Sequence, residues 1–471
     1  MKIVSMDNPV RVDWLSDQGF RLDASPYLSG ALEARKRLEA LSNTVRLDEV
    51  TAGHNGGVFN GPKFSRVYLN DPEQSVPFLG STDMLEADFS YLPRLSTQIA
   101  NKLGYLKAEP GMSLISCSGT IGRMGYVRPD MAGFWTSQHV MKVQGNPDLI
   151  PSGYLYTFLR SDFGIPMITS SAYGAIIQHI EPHHLADLPV PRFNSAVEYK
   201  IHDLVEKSAK LRAAFQAGLV AATDDFFRSV GLPELIDFRW HDEGPDLGFE
   251  VTDFGPKSIR ALNFSPRARQ IIAKLSSVPH RSLGDVCEDG LLSRGVRFKR
   301  IDSEVAFGVP LVGQRQAFWA RPEGRMLAAG SLPAEVHAED ETILVASQGT
   351  LGEQEVYCRA LMVTGAWLKN AYSEHFLRIV SGDETISGAY LFAFLRSNVA
   401  FRIFRSLSTG GKQQDIHEGL RREIPIPLAS MNDRYRIADS VRQAYRDRDR
   451  ADVLEDEALA LLTQAIEGAE D

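Results

Sequence analysis

"SCSGTIG" at 116–122 and "ASQGTLG" at 346–352 are one short phrase written twice, 230 positions apart, and the sequence around each copy repeats as well. "SQHVMKV" (137–143) answers "SEHFLRI" (373–379) at a shift of 236, so six extra residues of the second copy fall in the loop after the glycines. That shift then holds. "SGYLYTFLRSD" (152–162) pairs with "SGAYLFAFLRSN" (387–398) once one residue of slack is allowed, Gly174 pairs with Gly410, and "LPVP" (188–191) pairs with "IPIP" (424–427). Upstream, "VPFLG" (76–80) matches "VPLVG" (309–313), and "RLDEV" (46–50) matches "SLGDV" (282–286). Self-similarity at a fixed long period is the mark of a duplicated architecture. The chain reads as one module of about 235 residues written twice.

Each module reads as a mixed α/β (α+β) unit. "HVMKV", "ETILVAS" and "EHFLRIV" are short β-branched runs bounded by turn residues and predict strands. "YLYTFLRS" and "YLFAFLRS" carry apolar residues at helical spacing. Each Pro-x-Pro is expected to end a strand and close a module, because proline cannot donate to a ladder and holds its predecessor extended. Beyond each boundary a long helix is expected. Ile201, Val205, Ser208, Arg212, Phe215, Leu219, Ala222 and Phe226 fall at alternating steps of four and three, as do Ile437, Val441, Ala444, Arg448, Ala451, Glu455, Ala458 and Leu462. A lone helix with so polar a seam is marginal, so the two are expected to pair antiparallel as rods of about 50 Å, spacing the modules. The resulting division is a module at 1–193, a helix at 194–231, a module at 232–428 and a helix at 429–471.

With 471 residues and 44% hydrophobic content, the chain is too long for one typical domain. No signal peptide and no apolar run of membrane-spanning length is read. Cys117, Cys287 and Cys358 lie far apart with no Cys-x-x-Cys pair, which fits a reducing cytoplasm. A net charge of -9 argues against coating nucleic acid indiscriminately but leaves room for a local basic groove.

Catalytic readings of the glycine phrase are weak. "SGTIGRMG" lacks the spacing and the lysine of a phosphate-binding P-loop. A hydrolase using Ser116 or Cys117 with His139 as base is the alternative function. The second copy, however, puts Ala346, Ser347 and Gln348 where the first has Ser116, Cys117 and Ser118, while Gly119, Thr120 and Gly122 recur as Gly349, Thr350 and Gly352. What recurs is a turn. His139 and His375 recur beside apolar residues, as histidines bonded within a fold do. "HIEPHHL" (179–185) offers His179, Glu181, His183 and His184 to a metal, but Pro182 breaks the helix that would align them. No metal, no cofactor and no catalysis are therefore expected of this chain, which also lacks a methyltransferase Asp/Asn-Pro-Pro-Tyr/Phe tetrad.

This order of motifs, written twice with a heptad helix after each copy, resembles the specificity (S) subunit of type I restriction-modification systems over nearly the whole chain. "RLDASPYL" (21–28) is similar to the opening of such modules. The resemblance implies two target recognition domains on an antiparallel coiled coil, double-stranded DNA as ligand, two N6-adenine methyltransferase subunits as partners and an associated motor-nuclease. S-adenosylmethionine would belong to the methyltransferases, and ATP with magnesium to the motor. The implied role is phage defence in the cytoplasm, with a bipartite and asymmetric target because the two copies differ. A scaffold that has lost sequence reading is a further alternative.

Base readout calls for Arg or Lys toward guanine and Asn or Gln toward adenine. In the second module Arg294, Arg297, Lys299 and Arg300 ("LLSRGVRFKRID", 291–302), Gln314, Arg315, Gln348, and Lys412, Gln413 and Gln414 extending from a glycine turn are the candidate DNA-binding residues. The first module offers Asn60, Lys63, Arg66, Ser118, Arg123 and Gln178, with His179 beside it.

Overall fold

The computed structural model describes residues 10–17, 20, 27, 29–172, 178–246, 248, 258 and 260–469. Gly174, the turn around it, and "RLDASPYL" except Tyr27 lie outside the described residues. The chain divides into two compact units, Met1–Glu86 with Ser90–Ala213 and Arg450–Asp471, and Ala87–Phe89 with Ala214–Asp449.

In the first unit, four antiparallel strands lie in the order Val58–Phe59, Val140–Val143, Ser113–Ser116, Met124–Tyr126. Beside them stands a three-stranded sheet in which Ser75–Leu79 pairs antiparallel with Arg94–Ser96 and parallel with Trp135–Thr136. The second unit repeats both arrangements. Leu291–Arg294, Phe376–Val380, Thr342–Ala346 and Ala360–Val363 form the four-stranded sheet, and Gly308–Val312 pairs antiparallel with Gly324–Ala328 and parallel with Ala371–Tyr372. The strands expected at "HVMKV", "ETILVAS" and "EHFLRIV" are all present. With antiparallel pairs dominant, the architecture is α+β.

Ser152–Arg160 and Gly388–Leu395 are the two repeated aromatic helices, both buried along nearly their full length. Tyr154 and Tyr390 sit at the same position of each, and each hydroxyl donates to the carbonyl of the closing proline, Pro191 or Pro427. The Pro-x-Pro segments differ from the expectation in one respect. They are strands themselves, Pro189–Pro191 against Thr44–Arg46 and Pro425–Pro427 against His280–Ser282. Proline is tolerated there because each ladder has only two strands, leaving one side without bonds to lose.

Ser195–Ser229 and Met431–Glu467 are the long helices, and every heptad residue named above is buried. In the second unit Phe215 meets Tyr445, a Cβ on Gly218 would lie 3.2 Å from that of Ala444, and Arg436 pairs with Asp225, so the helices run antiparallel. The first unit pairs residues 195–213 with 450–467, burying Ile201, Val205 and Ala209 with Ala458, Leu462 and Ile466. The polar seam positions find partners. Arg212 donates to Asp452 at 2.7 Å and Glu455 at 3.0 Å, and Glu455 also receives Arg160 at 2.8 Å. Arg448, 1% exposed, stacks 4.0 Å over Trp367 and donates to the Thr364 carbonyl at 2.9 Å.

Candidate nucleic-acid interface

The glycine phrase is a structural turn. Ser116 and Cys117 are buried; burial pushes the Cys117 thiol up to about 11, against a hydrogen bond from Asn60. The His139 ring faces Gln138, its Nε2 3.0 Å from the Gln138 amide nitrogen, and burial with Arg66 and His179 nearby lowers its pKa. A buried, protonated thiol and a histidine engaged elsewhere do not make a nucleophile and base. The two copies need their glycines for different reasons. Gly119 and Gly122 have φ of 79° and 84°, whereas at Gly349 a Cβ would come 2.8 Å from Tyr357. The six extra residues separate Gly352 from the strand Ala360–Val363, where Met124–Tyr126 follows Gly122 almost at once. Among the described residues no cluster suited to a metal occurs, and His184 instead accepts from the Glu181 N–H at 3.0 Å.

In the second unit, the sheet strand ends at Arg294 because Gly295 lies against Glu374, where a Cβ would be 3.1 Å from its Cα. Arg294 donates to Asp415 at 2.6 Å. Asp415 stands opposite Gln348 in a small sheet of Gln348–Gly349, Gln414–Ile416 and Ser408–Gly410. With its amide oriented to satisfy its neighbours, Gln348 accepts from both Arg294 amino groups at 3.0 and 2.6 Å and donates to His375 Nδ1 at 2.5 Å. Gln314 locks the Gln348 backbone, donating to its carbonyl at 2.7 Å and accepting from its N–H at 3.1 Å. Five segments remote in sequence, those of Arg294, Gln314, Gln348, His375 and Asp415, thus meet. Arg297 and Lys299 are exposed in the loop that follows, and Arg300 returns to Glu374 at 2.8 Å. Arg297 also lines an open hollow of about 530 Å³ with Phe298, Leu332 and Glu335. Arg315 is partly exposed. Lys412 and Gln413 are exposed at the hairpin tip, but Gln414 is buried and donates to the Gly411 carbonyl, so it does not extend as expected. The strand alternation that turns Asp415 outward turns Gln414 in.

The first unit builds the same frame from other side chains. Asn60 is at the register position of Arg294, since Phe59 opposes Lys142 as Ser293 opposes Arg378. Ser118 bridges His179 as Gln348 pairs with Asp415. Arg66 donates to Gln138 at 2.6 Å, matching Arg300 to Glu374, and its guanidinium lies 5.3 Å from the Phe78 ring. Lys63 and Gln178 are exposed, Gln178 accepting from the Gly119 N–H at 3.3 Å, and Arg123 is partly exposed. Asp415, Gln138 and Glu374 were missed by sequence reasoning. Aligning His179 with Asp415 at the shift of 236 would have found the first.

One strand position holds a buried cation in both units. Arg378 donates to the carbonyls of Val336 at 2.8 Å, Tyr372 at 3.2 Å and His337. Lys142, fully buried, has the Thr136 hydroxyl at 2.7 Å and the Phe59 ring at 4.9 Å, and burial pushes its pKa down to about 7.

No family model and no curated protein matches the sequence. Solved structures do. The type I restriction-modification S subunit from M. genitalium is 13% identical over 92% of this chain and 96% of its own, with a TM-score of 0.35. The HsdS subunit from Thermoanaerobacter tengcongensis is 14% identical over 91% and 97%, with a TM-score of 0.28. A structure described for the complex assembly and conformational transition of the type I R-M system is 15% identical over 90% and 97%, with a TM-score of 0.26. The first two of these structures are type I S subunits, the family that the repeated motifs of this chain resemble.

Proposed function

We propose that the chain is the noncatalytic DNA sequence-recognition subunit of a type I restriction-modification or related phage-defence complex in the cytoplasm. Its recognition modules are assigned to 1–193 and 232–428, and the helices at 194–231 and 429–471 space them. The observation that carries this reading is one backbone frame built twice with different polar side chains at matching positions, Asn60, Ser118 and His179 in one unit and Arg294, Gln348 and Asp415 in the other. A duplicated reader with unlike side chains suits two unlike half-sites. The cations Arg297, Lys299, Arg300 and Lys412 supply phosphate contacts in an otherwise acidic protein. Adenine methylation then belongs to two partner methyltransferases holding S-adenosylmethionine, and cleavage to a motor-nuclease using ATP and magnesium.

Co-expression with the methyltransferase, pull-down of the pair and adenine-methylation mapping test this. Two short unlike blocks around a fixed gap are expected. A single continuous motif, or failure to bind both DNA and any methyltransferase, removes the reading. No helix among the described residues is long and apolar enough to cross a membrane.

A further inference from the structure

The two units share backbone contacts around three positions while changing every side chain there. The N–H after Ser116 and after Ala346 reaches the same carbonyl in each copy, Cys117 to His139 at 3.0 Å and Ser347 to His375 at 3.0 Å. Gly61 and Gly295 each follow the first position and approach the same spot, where a Cβ would stand 3.5 Å from the Gln138 Cα or 3.1 Å from the Glu374 Cα. Ser118 faces His179, and Gln348 faces Asp415, in the same antiparallel pairing. Such a frame fixes where three side chains begin, and selection is left to choose what they are. None of the six is fully buried, and the Arg294 and Asp415 side chains are 28% and 31% exposed.

Resting on the DNA-reading function proposed above, we infer that these three matched positions are the specificity-determining set of each module, Arg294, Gln348 and Asp415 in one and Asn60, Ser118 and His179 in the other. The chemistry of each set differs in a defined way. Arg294 presents a guanidinium whose pose is fixed by Asp415 and by the side-chain amide oxygen of Gln348; these bonds take both hydrogens of one amino group and one of the other, and the remaining N–H is the preoriented donor that the O6 or N7 of guanine accepts. Asp415 is a positioning residue, holding Arg294 without itself needing to touch a base. In the first module the same place carries the Asn60 amide, which also reaches the Cys117 thiol and whose donor and acceptor are the kinds that match the N7 and N6 of adenine, and His179 stands where the second module has Asp415. The second module therefore reads a block containing guanine, and the first a block read through an amide, a hydroxyl and an imidazole.

The test is selection from a random duplex library with the full chain bound to its methyltransferase, comparing wild type with a transplant of the first set into the second module, Arg294→Asn, Gln348→Ser and Asp415→His. The transplant should lose roughly 10-fold or more on the wild-type site, with base preference changed in one block while the other block and the gap stay the same. Should the triple change impair folding, Asp415→Asn keeps the shape and the backbone pairing, and it should weaken guanine discrimination at the Arg294 position with unchanged melting. A wild-type motif that survives both variants overturns the inference while leaving the DNA reading intact. A wild-type complex that selects no motif removes the DNA reading, and the inference with it.

Discussion

Replacing Lys142 with methionine should make the protein more stable at neutral pH. Lys142 is enclosed in the central sheet of its unit, with one hydroxyl and one ring as polar company and no carboxylate on its ammonium. A pKa pushed from 10.5 to about 7 means that at pH 7 the folded state bears a penalty of about 4 kcal/mol relative to a lysine in water. Methionine fills a similar volume and forfeits the hydrogen bond to Thr136, worth about 1 kcal/mol, while Thr136 keeps the Leu106 carbonyl as acceptor at 3.1 Å. The net gain is about 3 kcal/mol. Between pH 7 and 10.5 the unfolded chain retains this proton while the folded chain has lost it, so wild-type stability climbs with pH and the variant lacks that slope. By pH 9 the advantage should shrink to about 1 kcal/mol. Calorimetric melting of both proteins at pH 7 and 9 measures it, the gap at pH 7 corresponding to roughly 6–12 °C in the transition of that unit. A variant that melts below wild type, or a gap that ignores pH, would refute the argument.

The same substitution at the matching position, Arg378→Met, should do the opposite and cost about 3 kcal/mol, because it strands three carbonyls that the guanidinium now serves, two of them in buried hydrogen bonds. Arg212→Met should destabilise by about 3–5 kcal/mol by leaving Asp452 and Glu455 facing a helix seam with fewer cations, read as a lower melting temperature; an unchanged melt would show the pair to be dispensable. Gly122→Ala, at φ 84° with Thr169 2.5 Å from the new Cβ, should cost more than Gly119→Ala, at φ 79° in open space, where about 1 kcal/mol is expected; equal costs in a urea series would contradict this. Arg297→Ala and Lys299→Ala should each weaken binding evenly across DNA sequences and reduce the salt slope by about 1, whereas loss of selectivity in filter binding would assign them to base contact.

The periodic parts of the molecule were legible because their period is local. Each heptad residue announced itself by its spacing and is buried, including Arg212 and Arg448, whose polarity made the seam look weak. Their partners, Glu455 and Trp367, lie far along the chain; heptad spacing puts Glu455 in the seam without saying which cation it meets, and says nothing of Trp367. The interface was half legible for the same reason. Arg294 and Gln348 stood out as residue types suited to bases, yet the partner that fixes Arg294 is 121 residues away. Gln414 resembled Gln413 in sequence, and only strand alternation separates the one turned inward from the one in water. The Pro-x-Pro pairs read as ends of strands because the composition hides that a two-stranded ladder has an idle edge.

The thiols have a practical consequence. Cys117, Cys287 and Cys358 are all buried, and burial pushes the first two up to about 11 and 12 and the third higher still. At neutral pH their thiolate fractions are negligible, and reagents cannot reach them without unfolding. Toward alkylating probes the native chain therefore behaves as though it had no cysteine. A single cysteine introduced at the exposed Lys412 or Lys63 would be the sole reactive thiol, ready to carry a fluorophore or a photocrosslinker to either module with the three native residues left in place.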